Sequence, residues 1–262
     1  MNRIRIALTL VQLVFTSTSF ALTAINPTTG DYLESQIKPV QILQFKNADF
    51  DRILITHASG ELNISNLEQN EDSKLEVVDQ ISIKDCETKY VIENRALIIS
   101  TEKKVFVIKN ECKQNLNVSL PNNKPLSVSL GTGVIKIKGV FPSVEANLGS
   151  GEVNIQGKVS KLDLDVASGS VTVSGLDGYG KITLLSGDLD IKYSKKTKKN
   201  FNQLFVSKSV GNTRIQLPKG TKAESKLKTL LGQISNDIQQ SETGKFYFSV
   251  KTNVGDIWMD TY

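Results

Sequence analysis

The chain has 262 residues and a formal charge of +5, and its one histidine and two cysteines exclude a metal centre built from those ligands. Two of the positive charges, Arg3 and Arg5, lie in an N-terminal segment of export type. Without them the charge is about +3, which gives no reason to expect nucleic acid as a partner.

Residues 1–21 read as a secretory signal peptide. Arg3 and Arg5 form its charged region and Ile6–Phe15 its apolar stretch, and Ser19-Phe20-Ala21 offers small residues for cleavage after Ala21. An uncleaved anchor is the alternative, but the apolar run falls short of the about 20 residues that a bilayer span needs. The chain is therefore expected to be exported, in a periplasm or at a cell surface, and soluble after cleavage. Residues 22–50 follow as an extended lead-in, with turns at Asn26-Pro27 and Gly30-Asp31.

From residue 51 the chain reads as one elongated all-β domain reaching residue 262, since no Pro/Ser-rich linker divides it. Residues 51–125 read as irregular rungs. The first is residues 51–68, with Ile53 and Ile55 leading into His57-Ala58-Ser59-Gly60-Glu61-Leu62-Asn63-Ile64. Strands are expected at Leu75–Val78, Ile81–Ile83, Tyr90–Ile92, Ala96–Ser100, Val105–Ile108 and Leu116–Leu120, with a hairpin near Glu102-Lys103-Lys104. Cys86 and Cys112 fall in this stretch. An even count in an exported chain argues for a disulfide between them over two reduced thiols. Closing that loop would stabilise the fold by about 3–4 kcal/mol.

Residues 126–192 carry the regular repeat. Gly133, Gly151, Gly169 and Gly187 are spaced 18 apart, and each precedes an alternating strand. One column of the repeat is Val128, Ala146, Leu164 and Ile182, and the next is Leu130, Leu148, Val166 and Leu184. After the turn come Ile135, Val153, Val171 and Leu189, then Ile137, Ile155, Val173 and Ile191. The columns between them are polar: Ser129, Asn147, Asp165, Thr183 and Lys136, Asn154, Thr172, Asp190. The period is two within each half-rung, which is a strand with one buried face. The step from Leu130 to Ile135 is odd, so the glycine corner must absorb the change of parity, and glycine reaches the positive φ needed there. The expected architecture is a single-stranded parallel β-helix, or β-solenoid, with rungs of about 18 residues. It should be right-handed, as parallel crossovers are. Val140 and Leu176 suggest a short third side.

Residues 193–262 read as looser rungs, with corner glycines Gly211, Gly232 and Gly255 matching Gly60 upstream. The aromatics Phe246, Tyr247, Phe248, Trp258 and Tyr262 are expected to form a cap. No strong amphipathic helix is found, and Lys222–Leu231 is the one stretch where a short helical turn is conceivable. The loop Tyr193–Asn202 holds Lys195, Lys196, Lys198 and Lys199 with no acidic residue among them. These four lysines are the candidate ligand site, for anionic headgroups or acidic polysaccharide. The competing reading is a solvated loop that blunts a sheet edge.

Catalytic constellations are mostly absent. His57 falls in the apolar column of Leu130 and so reads as a packing residue, not a base. The best enzymatic candidates are the outward carboxylates Glu145, Asp163 and Asp165, with Lys181 following Asp163 in its column. They would serve a carbohydrate-active β-helix lyase or hydrolase, against the plainer reading of solvated strand residues. No catalytic residue, metal site or cofactor is expected.

The recurring small-Ser-Gly-x-[Val/Leu/Ile]-x-[Ile/Val] pattern resembles the bacterial "putative adhesin" β-solenoid family, a domain of unknown function. A second shared feature is a strand ending in Leu-Pro, found at Leu120-Pro121 and Leu217-Pro218. The resemblance covers about residues 50–260. It implies an exported or envelope-associated β-solenoid without known catalytic residues. The leading expectation is a non-enzymatic envelope protein that presents a long β-face for binding or scaffolding. The alternative is the carbohydrate-active enzyme. An envelope protein, a glycan or an anionic surface are the candidate partners. Open rung ends would also allow end-to-end self-association.

Overall fold

Each corner glycine of the repeat sits directly on the glycine of the rung below it, and this stacking sets the architecture. Gly133, Gly151 and Gly169 all have φ of +138°. A Cβ on Gly151 would overlap the carbonyl oxygen of Gly133, and one on Gly169 would overlap that of Gly151. No other residue fits there. Gly60, Gly187, Gly211, Gly232 and Gly255 also lie at positive φ.

The computed structural model describes residues 41–66, 73–78, 86–103, 113–121, 123–194 and 201–262, all in one compact unit, Val40–Tyr262. The signal segment and most of the lead-in lie outside the described residues. So do Cys112, the side chain of Cys86 and with them the expected disulfide, and so do Lys195, Lys196, Lys198 and Lys199.

The strands in chain order are β1 (Gln41–Phe45), β2 (Arg52–Asn66), β3 (Ser73–Val78), β4 (Cys86–Glu93), β5 (Ala96–Lys103), β6 (Asn115–Leu120), β7 (Leu126–Phe141) and β8 (Val144–Ser186). They continue with β9 (Leu189–Tyr193), β10 (Asn202–Val210), β11 (Thr213–Leu217), β12 (Lys222–Leu231), β13 (Ile234–Asn236), β14 (Gln239–Gln240), β15 (Phe246–Val254) and β16 (Ile257–Thr261). A 3₁₀ turn at Asn47–Asp49 follows β1. Among the described residues no helix is long and apolar enough to cross a membrane.

The regular rungs pair in parallel and in register, from Leu126↔Val144 through Gly133↔Gly151 to Phe141↔Val159. All sixteen apolar column residues are at most 3% exposed. A third side holds Phe141 and Val159, buried and paired in register, with Leu176 also buried, whereas Val140, expected there, is exposed. A second glycine column, Gly139, Gly157 and Gly175, turns the chain there at positive φ.

The stacking order is not the chain order. β2 lies between β7 on one edge and β5 plus β6 on the other, with Ile53 pairing both Leu97 and Leu126. The rung of β5 and β6 is therefore outermost, and β2, the described part of the stretch 51–68 read from sequence as the first rung, is the second. The far end repeats the device. β15 lies between β10 and β12, and β16 lies between β11 and β13. The last rung in sequence is thus wedged beneath the rung of β12 and β13.

A hairpin at Asn94-Arg95, both at positive φ, joins β4 to β5; Glu102 and Lys103 are inside β5, and the hairpin expected after them, with the strand Val105–Ile108, falls outside the described residues. A two-residue turn of this kind matches the twist of the flanking strands. Lys222–Leu231 is a strand, because its alternating Ala223, Leu227 and Thr229 follow the inner columns. The C-terminal aromatics do not form a cap. Phe246 and Phe248 are core residues against the buried Tyr193, with ring centroids 5.4 and 5.6 Å away, and the end is closed by β12 to β14 instead. At the opposite end β4 and β3 cover the outermost rung in antiparallel sense.

Candidate functional site

The buried columns leave every other side chain facing out, so chemistry must be sought on outward ladders. Pairing places side chains of one column about 4.8 Å apart. One such column runs Thr172, Asp190, Arg214, Trp258, Ser235. Trp258 is 36% exposed in a column that is polar in the neighbouring rungs.

The corner beside this column is fixed by a chain of Asx hydrogen bonds. The Asn212 amide donates to Asp188 Oδ1 at 2.7 Å. The Asp256 amide donates to Asn212 Oδ1 at 3.1 Å, and the Gln233 amide to Asp256 Oδ1 at 2.7 Å. Each rung is thereby locked to the next. On the other side of Trp258, Arg214 Nη2 meets Asp260 Oδ2 at 2.7 Å, and Gln216 Nε2 donates to Asp260 Oδ1 at 3.0 Å. That hydrogen bond from Arg214 to Asp260 raises the guanidinium further. Between the two rows lies an open groove of about 550 Å³, lined by Asp188, Asp190, Arg214, Asp237, Trp258 and Asp260 among others.

The other outer sheet carries aromatics. Tyr179, Phe205 and Tyr247 stack tilted across adjacent rungs, with centroids 5.9 and 5.8 Å apart, and Lys226 Nζ stands 5.3 Å from the Tyr247 ring. A shallower groove of about 500 Å³ runs along the corner of Ala58, Gly131, Gly149 and Ala167.

Glu145 and Asp165 are exposed strand residues, and Asp163 lies 3.7 Å from Lys181 in an ion pair across rungs. Among the described residues no group of three or more His, Cys, Asp or Glu is placed to hold a metal ion. His57 is buried at 2% exposure and fully engaged. Its Nε2 donates to the Gln114 carbonyl at 2.8 Å, and its Nδ1 accepts from Thr101 Oγ1 at 2.8 Å. Burial lowers its basicity, against the raising effect of the Gln114 hydrogen bond. It is a packing residue of the outer rungs.

The groove was missed from sequence because Trp258 was grouped with neighbouring aromatics. The signal was present: in Gly255-Asp256-Ile257-Trp258-Met259 the tryptophan occupies the outward position that Lys136 occupies after Gly133. The pairing of Arg214 with Asp260 across rungs had no such signal.

A family model described as Toastrack DUF4097 matches residues 115–259. No curated protein matches the chain. A solved "putative cell adhesion protein" from Clostridium sporogenes is 17% identical, with 86% of this chain and 99% of that one covered and a TM-score of 0.39. A "putative adhesin" from Bacteroides fragilis is 13% identical over 85% and 97%, with a TM-score of 0.45. A "putative lipid binding protein" from Parabacteroides distasonis is 12% identical over 83% and 96%, with a TM-score of 0.30.

Proposed function

The chain belongs to the Toastrack DUF4097 family, and we propose that within it this protein is a non-enzymatic, exported envelope module that binds its partner through an outward sheet face. The observation that carries this reading is the groove of about 550 Å³ on the outer face of rungs whose backbones are locked together at the corner. Its side chains are positioned by that rigid sheet, which suits recognition. Asp188, Asn212, Arg214 and Asp260 around it are held in place by hydrogen bonds and an ion pair, and the only histidine is committed to packing.

The test is co-sedimentation of the mature chain, from Leu22, with washed bacterial envelope fragments. Saturable pelleting is expected. A chain that stays in the supernatant would overturn the proposal, as would glycan turnover that is lost in Asp163→Ala or Asp165→Ala. A variant with Lys195, Lys196, Lys198 and Lys199 changed to Gln separates the two modes of attachment: retained pelleting assigns binding to the sheet faces, and lost pelleting assigns it to the basic loop.

A further inference from the structure

We propose that the Trp258 groove is a binding site for neutral saccharide, an inference that rests on the binding-module reading and names its ligand class.

The core does not require an aromatic at this position. The same outward place is Lys136, Asn154, Thr172, Asp190, Arg214 and Ser235 in other rungs. Ile257 and Met259, which flank Trp258 on the same strand, already fill the interior. An indole left 36% exposed on a polar ladder is spare apolar surface in a groove. Its volume of about 550 Å³ falls inside the roughly 300–1,000 Å³ typical of small-ligand sites.

The charges decide what fits. The lining holds Asp188, Asp190, Asp237 and Asp260 against a single Arg214, so an acidic ligand is repelled. A compact cation would gain from the indole face and the carboxylates. However, Arg214 is the direct register neighbour of Trp258 and opposes a positive charge beside the ring. One aromatic on an open sheet also forms no cage. What remains is an uncharged ligand with an apolar face and several hydroxyls. A sugar ring offers C–H bonds to the indole, while its hydroxyls donate to carboxylates and accept from the guanidinium. The row Asp190, Arg214, Trp258, Ser235 presents acceptor, donor, platform and hydroxyl along one line. The line spans several rungs at about 4.8 Å each, so a linear oligosaccharide can lie along it.

Trp258 is the only tryptophan, so its emission reports on the groove directly. The experiment titrates the mature chain with cellohexaose, maltohexaose and chitohexaose while following tryptophan fluorescence, and repeats the titrations by calorimetry. A saturable shift with at least one of them is expected. Trp258→Ala should weaken calorimetric binding about tenfold or more, equivalent to about 1.4 kcal/mol. Trp258→Tyr should recover part of it, and Tyr247→Ala on the other outer sheet should leave it unchanged. Silence with all three sugars up to about 10 mM overturns the proposal, since even millimolar affinity would saturate there. Equal or tighter binding of hexagalacturonate overturns it too. Envelope pelleting that persists in Trp258→Ala without any sugar response would leave the binding module standing and remove only the sugar site.

Discussion

At the residue scale, three positions test how tightly the rungs are specified. Gly151→Ala would drive a methyl group into the Gly133 carbonyl at φ +138°. A loss of at least about 3 kcal/mol is expected, read from the urea midpoint. Tyr193 is fully buried, and among the described residues its hydroxyl has no hydrogen-bond partner. Tyr193→Phe should therefore raise stability by about 1 kcal/mol or more, seen as a higher Tm. Lys208 replaces leucine in the corner column and is 4% exposed, with Nζ donating to the Asn212 carbonyl. Burial lowers its ammonium from 10.5 to about 8, with nearby Asp188 acting in the opposite sense. Between those values the unfolded chain holds the proton and the folded chain does not, so stability rises with pH across that window. Lys208→Met should abolish that rise, measured as urea midpoints below and above it. The apolar columns and corner glycines were legible because the repeat is strict there. The partners of His57 were not, since Thr101 and Gln114 arrive from positions 44 and 57 residues away.

At the element scale, strand parity predicts more than local composition does. Lys222–Leu231 mixes lysine, alanine and leucine in a way that suits a helical turn, yet β15 offers it a complete parallel edge from Ala223 to Leu231. Tertiary pairing outweighs a weak helical preference. The same lesson applies to Trp258, which the C-terminal aromatics suggest as part of a cap but whose neighbours in space are Arg214 and Ser235. The Asx ladder gives an element-level prediction. Asn212→Ala removes the acceptor for the Asp256 amide and should cost about 1–2 kcal/mol. Amide exchange should localise the loosening to the corner of Asp188, Asn212 and Asp256.

At the scale of the whole molecule, the stacking order departs from the chain order at both ends, and no periodicity reveals this. Rungs that share a period are interchangeable in sequence pattern, and only edge complementarity decides which neighbours meet. Protection should follow position in the stack. Residues 246–254 and 257–259 pair on both sides, whereas β12 beyond Ala223 has a described partner on one side only, with Leu230 and Leu231 66% and 68% exposed. Hydrogen exchange in 246–254 should therefore be slower than in 225–231, although the latter lie further from the C-terminus. Faster exchange in 246–254 would contradict the order described.

The wedged rung also bears on how the protein can be made. A solenoid stacked in chain order can grow as it emerges, each coil settling on the one before. Here Lys222–Asn236 must wait, because the surface they rest on is built from residues synthesised after them. Assembly cannot be vectorial at that end. That end stays unsealed until β15 and β16 are in place, so the last strands made act as the latch for those made before them.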